Sequence, residues 1–265
     1  MEYKLITYTK EASLATPEEQ NIAVITLNRP EVLNALNLDI LQELDSVLEE
    51  IRKDDKIRAV VIMGAGRAFS SGADLAGPTG GEEMRKRIEF GQKVYDKIEE
   101  FDKPVVAAIH GYCLAGGLEL AIACDVRIAS EDARFGLVET NVGLLPSWGG
   151  VMRLPRVIGK TYAYEIVLTA QRIDAKEAYR IGLVNKVVPP DELRSTAMQM
   201  AGILATKAPI AVREAKKIMA KAFEITMEEG NKLMTDAGIK CATSEDIIEG
   251  VSAMFEKRTP KFKGK

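Results

Sequence analysis

A chain of 265 residues is long enough for one large domain with a substantial buried core. Its 46% hydrophobic and 28% charged residues are typical of an ordered globular protein and exclude a disordered chain. The net charge of −3 gives no overall positive field, so the sequence predicts neither nucleic-acid binding nor attraction to an anionic membrane.

The cysteines and the apolar runs bear on cofactors and compartment. Cys113, Cys124 and Cys241 lack metal-ligand spacing, and their odd number does not suit a disulfide framework. We expect Cys113 and Cys124, which lie in apolar segments, to be buried and inert. The sequence contains no signal-peptide pattern and no apolar run of membrane-spanning length, so a cytoplasmic location is predicted.

Strands and helix-length segments alternate over the first two-thirds of the chain, which favours parallel strands joined by right-handed crossovers. Thr16–Glu19 has the composition of a hairpin loop that follows an earlier strand. Leu38–Ile51 has apolar residues at the spacing of an amphipathic helix. The predicted strands are Ile22–Leu27, Ala59–Met63, Val105–Ile109 and Cys124–Ala129.

From Lys160 onward the pattern is almost wholly helical, with a short strand at Val184–Val188. The predicted helices are Tyr162–Leu168, Ala175–Ile181, Leu193–Ala205, Ile210–Ala222, Met227–Ile239 and Ser244–Phe255. The sequence therefore predicts an α/β core domain over residues 1–190 and a helical C-terminal region over residues 191–265.

The most informative segment is the glycine-rich stretch Gly111–Asp125. It follows a buried strand, contains Gly116 and Gly117, and opens a short apolar helix with Glu119 in its first turn. Helix N-terminal N–H groups suit an oxygen that gains negative charge, and glycine lets a substrate approach the backbone. The segment fits enolate stabilisation with an acid or base alongside, although tight packing with a dipole-compensating glutamate would give the same pattern.

Further segments share this pattern. The small-residue turn Ala68–Leu75 follows a predicted strand and offers free amides, with a helix cap as the alternative role of Asp74. Glu139 lies twenty positions after Glu119, with an exposed loop position as its alternative. The only tryptophan, Trp148, lies in a glycine-rich turn that leads into a helix, and its alternative is a core residue.

Several other kinds of site are excluded. Gly64–Arg67 lacks the third glycine of a dinucleotide-binding turn, and no glycine loop ends as a P-loop does. The only histidine, His110, closes a buried strand, where we expect it to be packed and hydrogen-bonded. A single histidine also excludes a His-rich zinc site.

Taken together, the motifs resemble those of the crotonase superfamily, and within it those of the enoyl-CoA hydratases. The resemblance runs from about Asn21 to Lys263, and ordered motifs are more specific than any one of them. The matching segments are Asn28–Pro30 with Asn34–Asn37, Ser71–Asp74, Gly111–Asp125, Phe135–Glu139, Pro146–Gly150 and Glu256–Arg258. The resemblance implies an α/β fold with a crotonase-like ββα spiral core, followed by C-terminal helices for trimerisation and for covering coenzyme A.

The resemblance also implies roles for particular residues. The backbone N–H groups of Ala73 and Gly116 would form an oxyanion hole for the thioester carbonyl of an acyl-CoA. Glu119 would act mainly as base toward a water molecule that adds to C3, and Glu139 would mainly supply the C2 proton. The substrate-binding residues so implied are Ala73, Asp74, Leu75, Ala76, Gly116, Trp148 and Lys257. The loop Gly77–Gly81 is expected to be mobile.

The implied activity is reversible hydration of the 2,3 double bond of an enoyl-CoA, as in the β-oxidation of fatty acids. No metal or redox cofactor is expected beyond the coenzyme A of the substrate, and the family implies a homo-oligomer, a trimer or hexamer. Three features depart from the pattern. Ala76 stands where hydratases often have lysine, Trp148 stands where residues are often small, and the usual run of three glycines is reduced to Gly116–Gly117.

Two alternatives remain open. Another acyl-CoA enzyme of the superfamily, such as a double-bond isomerase, a hydrolase or a hydratase for branched or hydroxylated acyl groups, would use the same oxyanion hole. The retention of both glutamates favours the hydratase. A non-enzymatic RNA-binding or scaffolding relative is disfavoured by the net charge and by the lack of aromatic residues within the basic tail.

Overall fold

The computed structural model describes residues 3–13, 17–76 and 80–265. The long strands form a six-stranded sheet in which the first two strands are antiparallel and the other neighbouring pairs are parallel. In spatial order they are β1 (Ile6–Glu11), β2 (Ile22–Leu27), β3 (Ala59–Gly64), β5 (Val105–Ile109), β7 (Val126–Ser130) and β10 (Lys186–Val188). The β1–β2 pairing confirms the predicted earlier strand, while Thr16 of the predicted hairpin loop lies outside the described residues.

A second sheet is built from short strands that follow the long ones. Its strands are β4 (Ala68–Ser70), β6 (Tyr112–Leu114), β8 (Arg134–Gly136) and β9 (Ile173–Asp174). The long strands β3, β5 and β7 each lead into a short strand and then into a helix. These helices are α2 (Gly81–Glu99), α3 (Gly116–Ala123) and α4 (Gly150–Thr169). This repeated ββα unit confirms the crotonase-like spiral core.

Helix α1 (Leu38–Lys53) shows how the apolar spacing builds the core. The Asn37 side chain caps it by accepting a hydrogen bond from the Ile40 backbone N–H at 3.0 Å. Burying an apolar side chain of this size contributes roughly 1.5–3 kcal/mol, which the conformational entropy of folding opposes. The buried residues of α1 are Ile40, Leu41, Leu44, Val47, Leu48 and Ile51.

The remaining helices follow the spiral. They are α5 (Ala175–Arg180), α6 (Leu193–Ala205), α7 (Pro209–Ala220), α8 (Met227–Ala242) and α9 (Glu245–Glu256). Helix α6 packs on the second face of the six-stranded sheet, where Ala197 and Ala201 are buried. The buried Lys216 of α7 donates to Asp125 Oδ2 at 2.8 Å and so ties α7 to the core. The domain division at residue 190 stays a prediction.

One predicted strand boundary is wrong, and one strand lies where none was expected. The strand predicted from Cys124 begins at Val126, because the Cys124 N–H still bonds the Ala121 carbonyl and closes α3. The glycine-rich stretch after Ile109 is more than a turn, since it contains β6, which is too short to show an alternating pattern.

Two helices differ from the sequence-based expectation. Helix α2 was not predicted, and glycines at its start and at Gly91 weaken its helical pattern. The helix predicted at Tyr162–Leu168 is the second half of α4, which turns at Gly159, where φ is +76°. Of the loop expected over Gly77–Gly81, residues 77–79 lie outside the described residues and Gly81 begins α2. Within the described ranges, no helix combines the length and apolar character needed to cross a membrane.

Candidate active site

Glu119 is a carboxylate inside an entirely buried helix. Every residue of α3 is buried, and Glu119 is only 2% exposed. Its Oε1 accepts a hydrogen bond from the Gly150 N–H at 2.7 Å, at the first residue of α4. The carboxylate is therefore held at the N-terminus of α4, whose dipole favours its ionised form.

Burial nevertheless dominates the titration of Glu119. It raises the pKa of Glu119 to about 8, and the nearby negative charge of Glu139 acts in the same direction. Backbone hydrogen bonds from Gly150 and Trp148, together with the positive charge of Arg153, oppose that rise in pKa. Glu119 can therefore hold a proton at neutral pH.

Glu139 provides the second carboxylate. It begins a short 3-10 turn, Glu139–Val142, directly after β8 and is half-buried. Burial raises the pKa of Glu139 to about 7. Its Oε2 atom is buried and has no hydrogen-bond partner among the described residues. Such an oxygen costs free energy unless a ligand or a water molecule donates a hydrogen bond to it. Glu139 is thus not a simply exposed loop residue.

The two amides implied for an oxyanion hole lie next to each other. A Cβ atom placed on Gly116 would lie 3.3 Å from the Ala73 nitrogen, and one on Gly72 would lie 3.1 Å from the Gly116 nitrogen. Among the hydrogen bonds of the described residues, neither the Ala73 nor the Gly116 N–H has an acceptor. Two neighbouring donors without an acceptor are the arrangement that an oxyanion hole requires.

Parallel pairing of β4 with β6 brings these amides together. Gly72 has φ of +105°, a conformation that favours glycine, and lies against Ala115. Ala115, the residue just before α3, has φ of +49° and donates its N–H to the Gly136 carbonyl at 2.8 Å. The Gly116 carbonyl accepts a hydrogen bond from the buried Tyr95 hydroxyl at 2.8 Å. The Gly116 N–H is therefore oriented by neighbours on both sides.

The loop after β2 clamps the Ala73 turn. The Asn34 side chain is fully buried and donates to the carbonyls of Ala65 and Ala68 at 2.9 and 2.7 Å. Leu36 bonds both sides of Ala73, accepting from the Asp74 N–H and donating to the Gly72 carbonyl. These hydrogen bonds give the Asn34–Asn37 motif a structural role that its sequence alone does not indicate.

Trp148 is both a core residue and a neighbour of the amide pair. It is 4% exposed, and its ring lies 5.6 Å from that of Tyr95 in an edge-on arrangement. A Cβ atom on Gly116 would lie 2.6 Å from its Cζ3, and one on Gly91 would lie 2.4 Å from its Nε1. The indole therefore fills the space between α2 and the backbone of Gly116, and the two alternatives from sequence are not exclusive.

The other residues implied to bind substrate have no described contact with Glu119 or Glu139. Asp74 pairs with Arg29 at 3.0 Å, whereas Leu75 and Ala76 are exposed beside a cleft of about 670 Å³ between the starts of α1 and α2. That cleft is lined by Asp74 and Ala76, but Glu119 and Glu139 are not among the residues that line it. Lys257 is an exposed residue directly after α9 and has no described contact with Glu119, Glu139 or the amide pair.

The remaining sequence expectations concern cysteine, histidine and metals. Cys113 and Cys124 are buried free thiols, as predicted. His110 bonds the Gly66 carbonyl at 3.0 Å, which fits a packed, hydrogen-bonded residue. The described parts of the chain hold no cluster of three or more side chains suited to a metal ion.

Sequence reasoning missed Tyr95 and Arg153. Tyr95 lies four residues after Gly91 on α2, so both face Trp148, but this spacing is visible only once α2 is recognised. Arg153 is buried in the first turn of α4. A lone arginine after a glycine turn carries no distinctive sequence signal.

Comparisons with known proteins identify the family of the chain. The model of the enoyl-CoA hydratase/isomerase family matches residues 17–265. The chain is 42% identical to a short-chain-enoyl-CoA hydratase of Clostridium acetobutylicum, covering 91% of this chain and 94% of that protein. It is 40% identical to a crotonyl-CoA hydratase of Syntrophomonas wolfei, covering 92% and 95% respectively.

A solved structure supports the same assignment. The crystal structure of an enoyl-CoA hydratase from Bacillus anthracis has a TM-score of 0.93 to this chain at 37% identity, over 99% of this chain and all of the other. The family model, the similar proteins and the shared fold show that the chain belongs to the enoyl-CoA hydratase/isomerase family.

Proposed function

We propose that this enzyme is a hydro-lyase that reversibly adds water across the 2,3 double bond of an enoyl-CoA to give a 3-hydroxyacyl-CoA. The observation that carries the proposal is the combination of two carboxyls whose pKa values are raised by burial with two neighbouring amides that lack an acceptor. The names of the similar proteins, short-chain-enoyl-CoA hydratase and crotonyl-CoA hydratase, support the same reaction.

The amide pair would bind the thioester oxygen. As water adds to C3, electrons move from the double bond toward the thioester carbonyl, and negative charge grows on its oxygen. The N–H groups of Ala73 and Gly116 would stabilise that charge, and one such donor is typically worth about 3–4 kcal/mol in the transition state. Because both donors are fixed by the fold, little reorganisation opposes this step.

The glutamates would move the protons. A water molecule between them loses one proton to the ionised carboxyl, its hydroxyl group joins C3, and the protonated carboxyl gives its proton to C2. The resemblance assigns the base mainly to Glu119 and the acid mainly to Glu139, whereas burial gives Glu119 the higher pKa in the free protein. The two carboxyls titrate as a pair, so one shared proton serves either assignment.

The acyl group would be short. Trp148 fills the space next to Gly116 that a long straight chain would need, and Gly91 leaves room for the indole. The backbone from Asp74 to Ala76 would lie along the thioester path, and the Lys257 cation suits a phosphate of coenzyme A. No metal or redox cofactor is needed for these steps.

The wider setting is also proposed. Large apolar side chains are exposed on and between the C-terminal helices, including Phe223 at 74% and Phe255 at 77%. Such a surface suits a second copy of the chain, so we expect a homo-oligomer, a trimer or hexamer. A cytoplasmic location and a part in fatty acid metabolism fit these proposals.

The test is a spectroscopic assay of enoyl thioester loss over a series of acyl chain lengths. Hydration predicts loss of the conjugated absorbance with 2-enoyl-CoA and formation of the 3-hydroxyacyl product. An enzyme that instead gains this absorbance from 3-enoyl-CoA and leaves 2-enoyl-CoA untouched would be an isomerase. Release of free coenzyme A as the main product would indicate a hydrolase.

A further inference from the structure

Arg153 is a buried cation that the proton transfers above do not use. It lies in the first turn of α4 and is 7% exposed. Its guanidinium donates to Glu99 Oε2 at 2.7 Å, to Asp96 Oδ1 at 2.5 Å and to the Trp148 carbonyl at 3.0 Å. Arg153 therefore joins α2 to the turn that precedes α4.

The turn from Trp148 to Gly150 contacts the Arg153 guanidinium on one side and the Glu119 carboxylate on the other. Gly149 has φ of +112°, and a Cβ atom on it would lie 1.9 Å from Nη1 of Arg153. The next residue, Gly150, donates its N–H to Glu119, and a Cβ atom there would lie 2.9 Å from Glu119 Oε1. The two glycines allow guanidinium, backbone and carboxylate to pack in contact.

We propose that Arg153 is a positioning residue for Glu119, because it fixes the Trp148–Gly150 backbone that holds the Glu119 carboxylate. The inference rests on the proposed role of Glu119 in hydration. Arg153 acts through this backbone and needs no contact with the substrate. A guanidinium suits the task, since its planar fork serves three acceptors at once, which a lysine ammonium on a flexible stem does less well.

The charges around Glu119 give the proposal an electrostatic consequence. Burial raises the pKa values of Tyr95 and Cys113, so both are neutral. Glu139 raises the pKa of Glu119 and Arg153 lowers it. The charges that act on Glu119 are those of Glu139 and Arg153, and Asp96 and Glu99 of α2 act on Arg153. The neutral groups Tyr95 of α2 and Cys113 of β6 also lie against α3.

The test compares variants that remove the cation with variants that remove its partners. Arg153→Gln should lower kcat by at least about tenfold, change KM only a few-fold and raise the pKa of Glu119. Arg153→Lys should fall between Arg153→Gln and the wild type. Asp96→Asn with Glu99→Gln leaves the Arg153 charge less compensated, so it should lower the pKa of Glu119. A merely structural loss would not give pKa shifts of opposite sign.

The control is Arg156→Gln, which removes an exposed ion pair with Glu224 one turn further along α4. The readout besides activity is an infrared titration of carbon-13-labelled glutamate, in which the Glu119 band is assigned by its loss in Glu119→Gln. This titration separates the two proposals, because it tests Arg153 even if the wild type hydrates no enoyl-CoA, a result that would defeat the proposed function alone.

Two results would overturn the role of Arg153. The first is a folded Arg153→Gln protein with kcat within about twofold of the Arg156→Gln control and an unshifted Glu119 titration. The second applies if neither Arg153 variant folds: an unchanged Glu119 titration in the Asp96→Asn, Glu99→Gln protein then contradicts the proposal. A downward shift there supports it.

Discussion

The residue-scale feature that matters most is a pair of carboxyls whose pKa values lie close to neutral pH. Burial raises both values, to about 8 for Glu119 and about 7 for Glu139. A carboxyl that can both give and take a proton near pH 7 is an effective general acid or base. The same burial that makes the pair reactive also makes it costly to ionise.

The first prediction is a bell-shaped pH dependence of kcat/KM. Below about pH 7 both carboxyls are protonated and no base remains, and above about pH 8 both are ionised and no acid remains. The rate should therefore be highest where the pair holds one proton. Initial rates with one short enoyl-CoA across the pH range measure this, and a flat profile through both limbs would contradict it.

The second prediction concerns stability. A carboxyl whose pKa is raised in the folded state keeps its proton while the unfolded chain, with a pKa near 4.5, loses it. Unfolding therefore releases protons between about pH 4.5 and pH 8, and the pair destabilises the fold as the pH rises through that window. Replacing Glu119 and Glu139 together by glutamine should remove this contribution.

Thermal melts at several pH values test the stability prediction. The melting temperature of the double glutamine variant, relative to wild type, should increase from pH 5 toward pH 8.5. Lys53→Gln, an exposed change at the end of α1, is the control for unrelated charge effects. A difference that stays constant with pH would show that the pair does not carry the expected cost of ionisation.

At the scale of elements, the junction of α2 with α3 is a packing contact that we also expect to influence acyl-chain length. Trp148 lies between Gly91 of α2 and Gly116 of α3. We predict that Trp148→Ala lowers stability by about 3–5 kcal/mol and also raises the ratio of kcat/KM for long over short enoyl-CoAs, by up to ~10-fold. Denaturant unfolding and the chain-length series measure the two effects.

A matched control separates packing from specificity. Phe101 is another large aromatic residue, 1% exposed, and it is not part of the candidate site. Phe101→Ala should cost a similar stability but leave the chain-length ratio unchanged. If Trp148→Ala shifts the ratio no more than Phe101→Ala does, the indole is a core residue without influence on the acyl group.

The elements also show how far the sequence alone reaches. The strands Ile22–Leu27 and Val105–Ile109 and the helix Leu193–Ala205 have the predicted bounds, because long apolar patterns report burial directly. The three-residue strand β6 and the glycine-containing helix α2 lack such a pattern. They form because the spiral offers them partners, which a local pattern does not contain.

Some residues of the candidate site can be predicted from sequence, and others cannot. Glu119 and Glu139 stand out in sequence as carboxylates in glycine-rich surroundings, and family resemblance pairs them. The contact of Tyr95 depends on α2 packing against α3, and the contacts of Arg153 depend on its reach to α2 and on the turn at Gly149, so both emerge only from the tertiary structure. Lys257 remains a sequence-based prediction, since the structure places it at an exposed helix end.

At the scale of the whole molecule, the exposed apolar side chains of the C-terminal region are the surface for which we propose assembly. We predict that Phe223→Asp combined with Phe255→Asp reduces the mass of the particle in solution, because the change buries charge in any contact those side chains make. Light scattering after size-exclusion chromatography measures the mass. Lys53→Asp, on the exposed end of α1, should leave the mass unchanged.

A wild-type protein that elutes as a monomer at micromolar concentration would contradict the proposed oligomer. An unchanged mass in the double aspartate variant, with an oligomeric wild type, would place the contact elsewhere on the surface. Either result would leave the chemistry of the site within one chain intact, since both glutamates and both amides come from the same copy.

The most direct test of the central claim is the turnover of glutamine variants at the two carboxyls. Glu119→Gln and Glu139→Gln should each lower kcat for a short enoyl-CoA by about a hundredfold or more, with KM changed only a few-fold, because each removes one partner of the proton transfers. The double variant should be little slower than the slower single variant, since the two act as a unit. Near-wild-type turnover of both single variants on every enoyl-CoA tested would contradict the two-glutamate mechanism.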